Sequence, residues 1–287
     1  MTDVLSSTPL IQLQGIVHPD SYFQIVEKNE IDWQLWIDVL RGKVAGAIFR
    51  GVVNQEIRQQ ICHNFWHSVS LKQKGDGLPA HAKAFIGASL SKPLEVYYEQ
   101  VEQTRKDVEA LFTNTGDFYQ FLIDNISKHL ASQGCSLRVA EHNGHQAGKY
   151  KMRSWANTGD FVIVPHDDFG VLKSPHLEDF EVGQLDRVVG VLICLENGEG
   201  GELHYWNISP NNETREALGF KSDSFGYPLE ALADFDKITV PICPGDIYLF
   251  DVTKVHAVGA KTDDEVNRST ISWSMGFRDP KTVLHWA

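Results

Sequence analysis

From Gly148 onward the chain breaks into eight short runs rich in β-branched and aromatic residues, each closed off by Gly, Pro, Asn or Asp. They cover residues 149–156, 160–166, 187–195, 202–207, 238–242, 246–250, 255–259 and 269–277. Runs of this length and composition read as strands, and eight is the number in a jelly roll. Asn157-Thr-Gly-Asp160 has the composition of a tight hairpin, while Glu199-Gly-Gly-Glu202 and Pro244-Gly-Asp246 mark other sharp bends. Residues 208–236, polar and without periodicity, are expected to form a long surface insertion.

The first half has a different period. Ile57, Ile61, Phe65 and Val69 recur at a spacing of four, which predicts a helix from Asn54 to about Leu71. Pro93 suits a helix first turn, and Tyr97, Val101, Val108 and Phe112 continue a similar stripe. Phe118, Phe121, Leu122, Ile126 and Leu130 predict a helix from Asp117 to about Ser132, stopped by Gly134. Three apolar stripes need a flat surface to cover, and the strands supply one. With 287 residues and 42% hydrophobic content, the expectation is one α+β catalytic domain over residues 1–287. In it, residues 1–135 give mainly helical support and substrate cover, and residues 136–280 form the jelly-roll core.

A formal net charge of -12 argues against a nucleic-acid surface, which needs clustered Lys and Arg, and favours a small-molecule substrate. Cys62, Cys135, Cys194 and Cys243 form no Cys-x-x-Cys pair, so neither a zinc ribbon nor a disulfide framework is expected. No basic start precedes an apolar stretch and no long apolar run occurs. The expectation is a cytoplasmic protein with no membrane contact, as a monomer or homodimer.

His166 and Asp168 lie one residue apart at the end of Phe161-Val-Ile-Val-Pro-His-Asp-Asp-Phe169, and His256 follows Gly245-Asp-Ile-Tyr-Leu-Phe-Asp251. Residues i and i+2 of a strand point the same way, so one stretch can offer two ligands and a distant strand the third. Two histidines and one carboxylate on one face of an octahedral ion leave positions for dioxygen and a chelating cosubstrate, as non-heme Fe(II) oxygenases require. Arg268 is a fixed cation able to hold the far carboxylate of a 2-oxoacid bidentately. Asp167 is turned to the other face by alternation and reads as a solvent-facing or supporting acid.

His-x-Asp alone is a weak signal in a chain with 12 histidines. Its specificity comes from order: His-x-Asp, then Gly-Gly-Glu-Leu, then Pro-Gly-Asp-x-x-x-Phe-Asp, then His256, then Arg268. With this set the chain resembles the Fe(II)/2-oxoglutarate-dependent oxygenases over roughly residues 40–280. It looks most similar to the free-standing small-molecule group that holds aliphatic halogenases and hydroxylases of N-acylated amino acids. Ala47-Ile-Phe-Arg-Gly-Val52, Gly201-Glu-Leu-His-Tyr-Trp-Asn207 and Arg268-Ser-Thr-Ile-Ser-Trp273 carry the closer likeness.

The resemblance implies a cupin-like double-stranded β-helix with helices packed on one sheet. It also implies Fe(II) on His166, Asp168 and His256, 2-oxoglutarate on Arg268, and dioxygen as co-reactant. Halogenating members have Gly or Ala where Asp168 stands, so the implied product is hydroxylated. Thr270, on the face of Arg268, can donate to the same carboxylate or be plain strand filler. Asn207 is a candidate for the cosubstrate or a metal-bound water. Arg153 faces the barrel interior, where it holds a substrate carboxylate, braces 2-oxoglutarate or forms a structural ion pair. Lys173 meets an acidic substrate group or stays solvated. Residues 81–89 resemble the stretch that covers the substrate in the halogenases, which makes Phe85 and Ile86 candidate apolar contacts. Rival outcomes are a desaturase or cyclase of the same family, a cupin-like metalloenzyme without 2-oxoglutarate, and a non-catalytic binding module.

Overall fold

The computed structural model describes residues 12–73, 78, 81–157, 159–218, 226–263 and 265–287. The N-terminal half contains β1 (Ile25–Lys28), α1 (Trp33–Leu40), β2 (Gly46–Phe49), α2 (Gln55–Trp66), β3 (Ala82–Ile86), α3 (Leu94–Ala110), α4 (Phe118–Ser132) and β4 (Ser136–Val139). Then come β5 (Lys151–Trp155), β6 (Phe161–His166), β7 (Val189–Glu196), β8 (Leu203–Trp206), α5 (Asn212–Ala217), β9 (Lys237–Val240), β10 (Ile247–Asp251), β11 (His256–Gly259), β12 (Arg268–Asp279) and β13 (Thr282–Trp286).

Each of the eight β-rich runs overlaps one of the strands β5 to β12, with ends that differ by up to two residues. They divide between two sheets: β10-β7-β12-β5 are neighbours in the larger, and the smaller runs β6-β11-β8-β9. The first, third, sixth and eighth strands thus form one wall and the other four the facing wall, which is jelly-roll order. β2 and β1 extend the larger sheet beyond β10, and β3 extends it beyond β5.

Alternation gives this larger sheet two different faces. Phe49, Met152, Ile193, Leu249 and Ile271 point outward into one core with residues of the helices, including Trp36, Phe65 and Leu122. α1 packs on β2, β10 and β12, α2 on β7, and α3 on β3. Trp36 is fully buried, its ring 6.0 Å from Phe49 and 6.5 Å from Trp273. Truncating a side chain so placed costs about 3–5 kcal/mol. The inner face carries Ile48, Cys194, Tyr248 and Phe250, which pack toward Leu203 and Tyr205 of the smaller sheet.

Local signals set the helix ends. Asn54 caps α2 by accepting from the Ile57 amide at 2.9 Å, and Gly134, at φ 73°, follows α4. Two helix details differ from expectation. α2 stops at Trp66, and Val69 beyond it is 94% exposed; the serines on either side of it bond to each other, and the apolar spacing there buries nothing. Phe121 leaves the α4 stripe at 48% exposure, resting edge-on against Trp33.

Two loop expectations are also corrected. Thr158 lies outside the described residues, but the strands on either side of it form no hairpin: β5 pairs with β12 and β3 in one sheet while β6 pairs with β11 in the other. Of residues 208–236, 219–225 lie outside the described residues, and the remainder is not merely a surface insertion. Within it α5 forms, and Arg215, Tyr227 and Leu232 are buried. Among the described residues no helix is long and apolar enough to cross a membrane.

Candidate active site

His166 ends β6 and His256 opens β11, and the two are directly opposite in the antiparallel register. Asp168 follows where the chain leaves the strand, its amide donating to the Val252 carbonyl at 3.0 Å. One donor atom from each of His166, Asp168 and His256 lies within 4.8 Å of the others, with His166 Nε2 3.6 Å from Asp168 Oδ1.

Each imidazole is aimed by its own strand. His166 Nδ1 is 2.8 Å from the Val164 carbonyl and His256 Nδ1 is 3.0 Å from the Lys254 carbonyl. A carbonyl only accepts, so both Nδ1 atoms carry the proton and both Nε2 atoms keep their lone pairs for a metal ion. Burial, and next the neighbouring His256, pull the His166 pKa below its ordinary value, which keeps the ring neutral. Two imidazoles and one carboxylate are a donor set suited to Fe(II).

Asp167 does not share the site. It is buried, and its carboxylate accepts from Arg215 Nη2 at 2.9 Å, Arg215 Nε at 3.2 Å, Tyr227 Oη at 2.6 Å and the Gly170 amide at 3.0 Å. These bonds pull it to the side opposite the histidines and tie the ligand-bearing turn to α5. The side chain of Asp168, by contrast, is 48% exposed, so the site opens on that side.

The inner face of the larger sheet supplies the cations. Arg268 is 1% exposed, yet its Nε has no hydrogen-bond partner and no carboxylate lies within 4.0 Å of it among the described residues. A charge in such a place is costly unless an anion completes it. Gly201, at φ +72°, makes the room: a Cβ there would stand 2.9 Å from Arg268 Nε. Tyr248 stands beside the guanidinium, its phenol pushed up to about 12 by burial. Thr270 shares the face; its hydroxyl accepts from Trp155 Nε1 at 3.0 Å and keeps its own proton to donate. This cradle fits the distal carboxylate of 2-oxoglutarate.

Arg153 sits across from Thr270 in the register. Its guanidinium stacks 4.6 Å from the Trp155 ring centroid and 5.3 Å from that of Phe85. The structure shows no ion pair for it among the described residues. Burial lowers its pKa to about 10, against the opposing field of Asp168.

Three expected contacts are placed elsewhere. Ile86 points into the outer core because it neighbours Met152, whereas Phe85 is opposite Arg153 on the inner face. The Asn207 side chain is tied to the His18 segment: its Oδ1 accepts from the His18 amide and Lys254 Nζ, and its Nδ2 donates to the His18 carbonyl. Lys173 Nζ donates to the carbonyls of Gly183 at 2.8 Å and Leu185 at 2.9 Å, so it closes a local turn. Sequence reasoning missed Lys151, His81, Arg215 and Tyr227. Lys151 was findable, since it shares the period-two face of Arg153. His81 stacks on Trp155, its ring lowered to about 4 by burial and then Arg153.

No family model matches the sequence. It is 24% identical over 247 residues to L-isoleucine 3(1)-dioxygenase of Pantoea ananatis (strain AJ13355), covering 83% of this chain and 82% of that one. Among solved structures, an N-substituted L-amino acid dioxygenase from Burkholderia ambifaria AMMD superposes with a TM-score of 0.55 at 12% identity, covering 89% of this chain and 91% of that one. A complex of a dioxygenase so described, from the same organism and with alpha-KG, gives a TM-score of 0.51 at 12% identity and the same coverage. These likenesses establish a shared fold.

Proposed function

We propose that this chain, an Fe(II)/2-oxoglutarate-dependent dioxygenase, hydroxylates an unactivated C–H bond of an amino acid or amino-acid derivative. The observation that carries the reading is one arrangement. Two imidazoles and a carboxylate converge from β6, its following turn and β11, and a buried arginine without an acidic partner among the described residues stands on the facing wall. His166, Asp168 and His256 would hold Fe(II), with Arg268 and Thr270 on the distal carboxylate of 2-oxoglutarate. The names of the Pantoea relative and the Burkholderia neighbour support the substrate class, since both are amino-acid dioxygenases.

Bound Fe(II), 2-oxoglutarate and dioxygen together supply the oxidation: one oxygen atom leaves in succinate as carbon dioxide is lost, and the other enters the substrate. The chain's part is positioning. Arg268 fixes the far end of the cosubstrate, the two Nδ1 bonds hold the imidazoles in register, and Phe85 and Arg153 line the same inner face. Asp168 fills a ligand position that a chloride would otherwise need, which favours hydroxylation.

The test is a screen of small amino acids and N-acyl amino acids for stimulated succinate release, with product mass as the readout. A gain of one oxygen supports the reading. A loss of two hydrogens would make the enzyme a desaturase, and no stimulation by any amino-acid derivative would remove the substrate class.

A further inference from the structure

β5 presents Lys151, Arg153 and Trp155 on the inner face, and Lys151 occupies the end that the mechanism above does not use. In the register Lys151 is opposite Ser272, Thr270 is opposite Arg153, and Arg268 is opposite Trp155. Arg268 and Trp155 therefore mark the closed end, where the cosubstrate's far carboxylate belongs. Lys151 marks the opposite end, which Leu192 and the half-buried Ser272 extend.

The Lys151 ammonium has no ion pair or hydrogen bond among the described residues, and the charges that act on it are the cation Arg153 and the carboxylate of Asp168. Burial, opposed only by Asp168, lowers its ammonium to about 8. Gly87, at φ +127°, lies against the stem: a Cβ there would be 2.7 Å from Lys151 Cβ. On the inner face Lys151, Arg153 and Arg268 bring three positive charges, and Asp168 is the facing carboxylate. A ferrous ion adds two more, and the 2-oxoglutarate dianion offsets only part of the sum. The space between Lys151 and the metal ligands stays positive, so it attracts an anion.

We propose that Lys151 is the anchor for the substrate's carboxylate, and that the substrate enters this end of the cleft as an anion. The proposal rests on the dioxygenase reading and narrows it to substrates with a free carboxyl group.

The test pairs each L-amino acid and N-acyl amino acid of a panel with its primary carboxamide, measuring stimulated succinate formation by wild type, Lys151→Met and Lys151→Arg. Calorimetric binding of 2-oxoglutarate to the Fe(II)-loaded, oxygen-free protein is followed alongside. Wild type should prefer acids over amides by about tenfold to a hundredfold in kcat/KM, the range expected when a hydrogen bond to a charged group is lost. Lys151→Met should bring that ratio close to one, and Lys151→Arg should restore part of it. A Lys151→Met enzyme that keeps the full acid preference, or a wild type indifferent to amidation, would overturn the anchor. If 2-oxoglutarate binds but only compounds lacking a carboxylate are oxidised, the anchor falls while the dioxygenase reading stands. If 2-oxoglutarate does not bind, both fall.

Discussion

Arg268 brings a full charge to a place only 1% exposed, with no carboxylate beside it among the described residues. That cost is sustained only where a ligand removes it during function. Arg268→Ala should therefore weaken 2-oxoglutarate by about 2–5 kcal/mol, a rise in its KM of roughly thirtyfold or more, while the KM of the organic substrate moves far less. Initial-rate kinetics against each varied substrate checks this, and equal shifts in both would contradict it. Arg153 and Arg268 were legible in the sequence because strand alternation fixes which residues share a face. The same arithmetic includes Lys151 and separates Phe85 from Ile86. Asn207 was not legible: its partners, His18 and Lys254, are set by tertiary contacts that no local pattern announces.

At the scale of the element, the turn after β6 is held from outside the site. Arg215 on α5 and Tyr227 both bond Asp167, which lies between two of the proposed ligands. Arg215→Ala should loosen that turn and lower Fe(II) affinity about tenfold or more, with 2-oxoglutarate affinity in the metal-loaded protein less affected. Anaerobic metal titration is the measurement, and unchanged affinity would show that the clamp does not matter. This clamp could not be foreseen, because residues 208–236 lack a period and the bonds that order them are long-range.

β13 carries a different dependence. His285 is buried, and burial, followed by the charge of Lys149, lowers its pKa from 6.5 to about 4. The unfolded chain therefore takes up this proton before the folded one does. Stability from this group is present above about pH 6.5 and is lost as pH falls toward 4. His285→Leu should flatten the acid limb of the denaturation profile over that interval, as read by urea midpoints across pH; an unaltered slope would contradict it.

For the whole molecule, eight strands in two facing sheets put ligands from one wall and cations from the other around a shared interior. The strands and their turn residues were readable because each has a local cause: alternation, Gly-Gly, Pro-Gly-Asp. Pairing was not. Residues 157–160 carry hairpin chemistry yet join two sheets, since partners are chosen by the core rather than by the bend. β1, β2 and β13 were likewise missed, being short extensions that take their order from the larger sheet. The convergence of His166, Asp168 and His256 was the most legible part, because donor types at this spacing are what a ferrous ion would need.

The central claim is that His166, Asp168 and His256 hold one ferrous ion on which 2-oxoglutarate is consumed. Succinate formation in the presence of Fe(II), 2-oxoglutarate and air, compared among wild type, His166→Ala and His256→Ala, tests it most directly. The account predicts turnover in the wild type and none in either variant, with circular dichroism largely unchanged. Full turnover in either variant would contradict it.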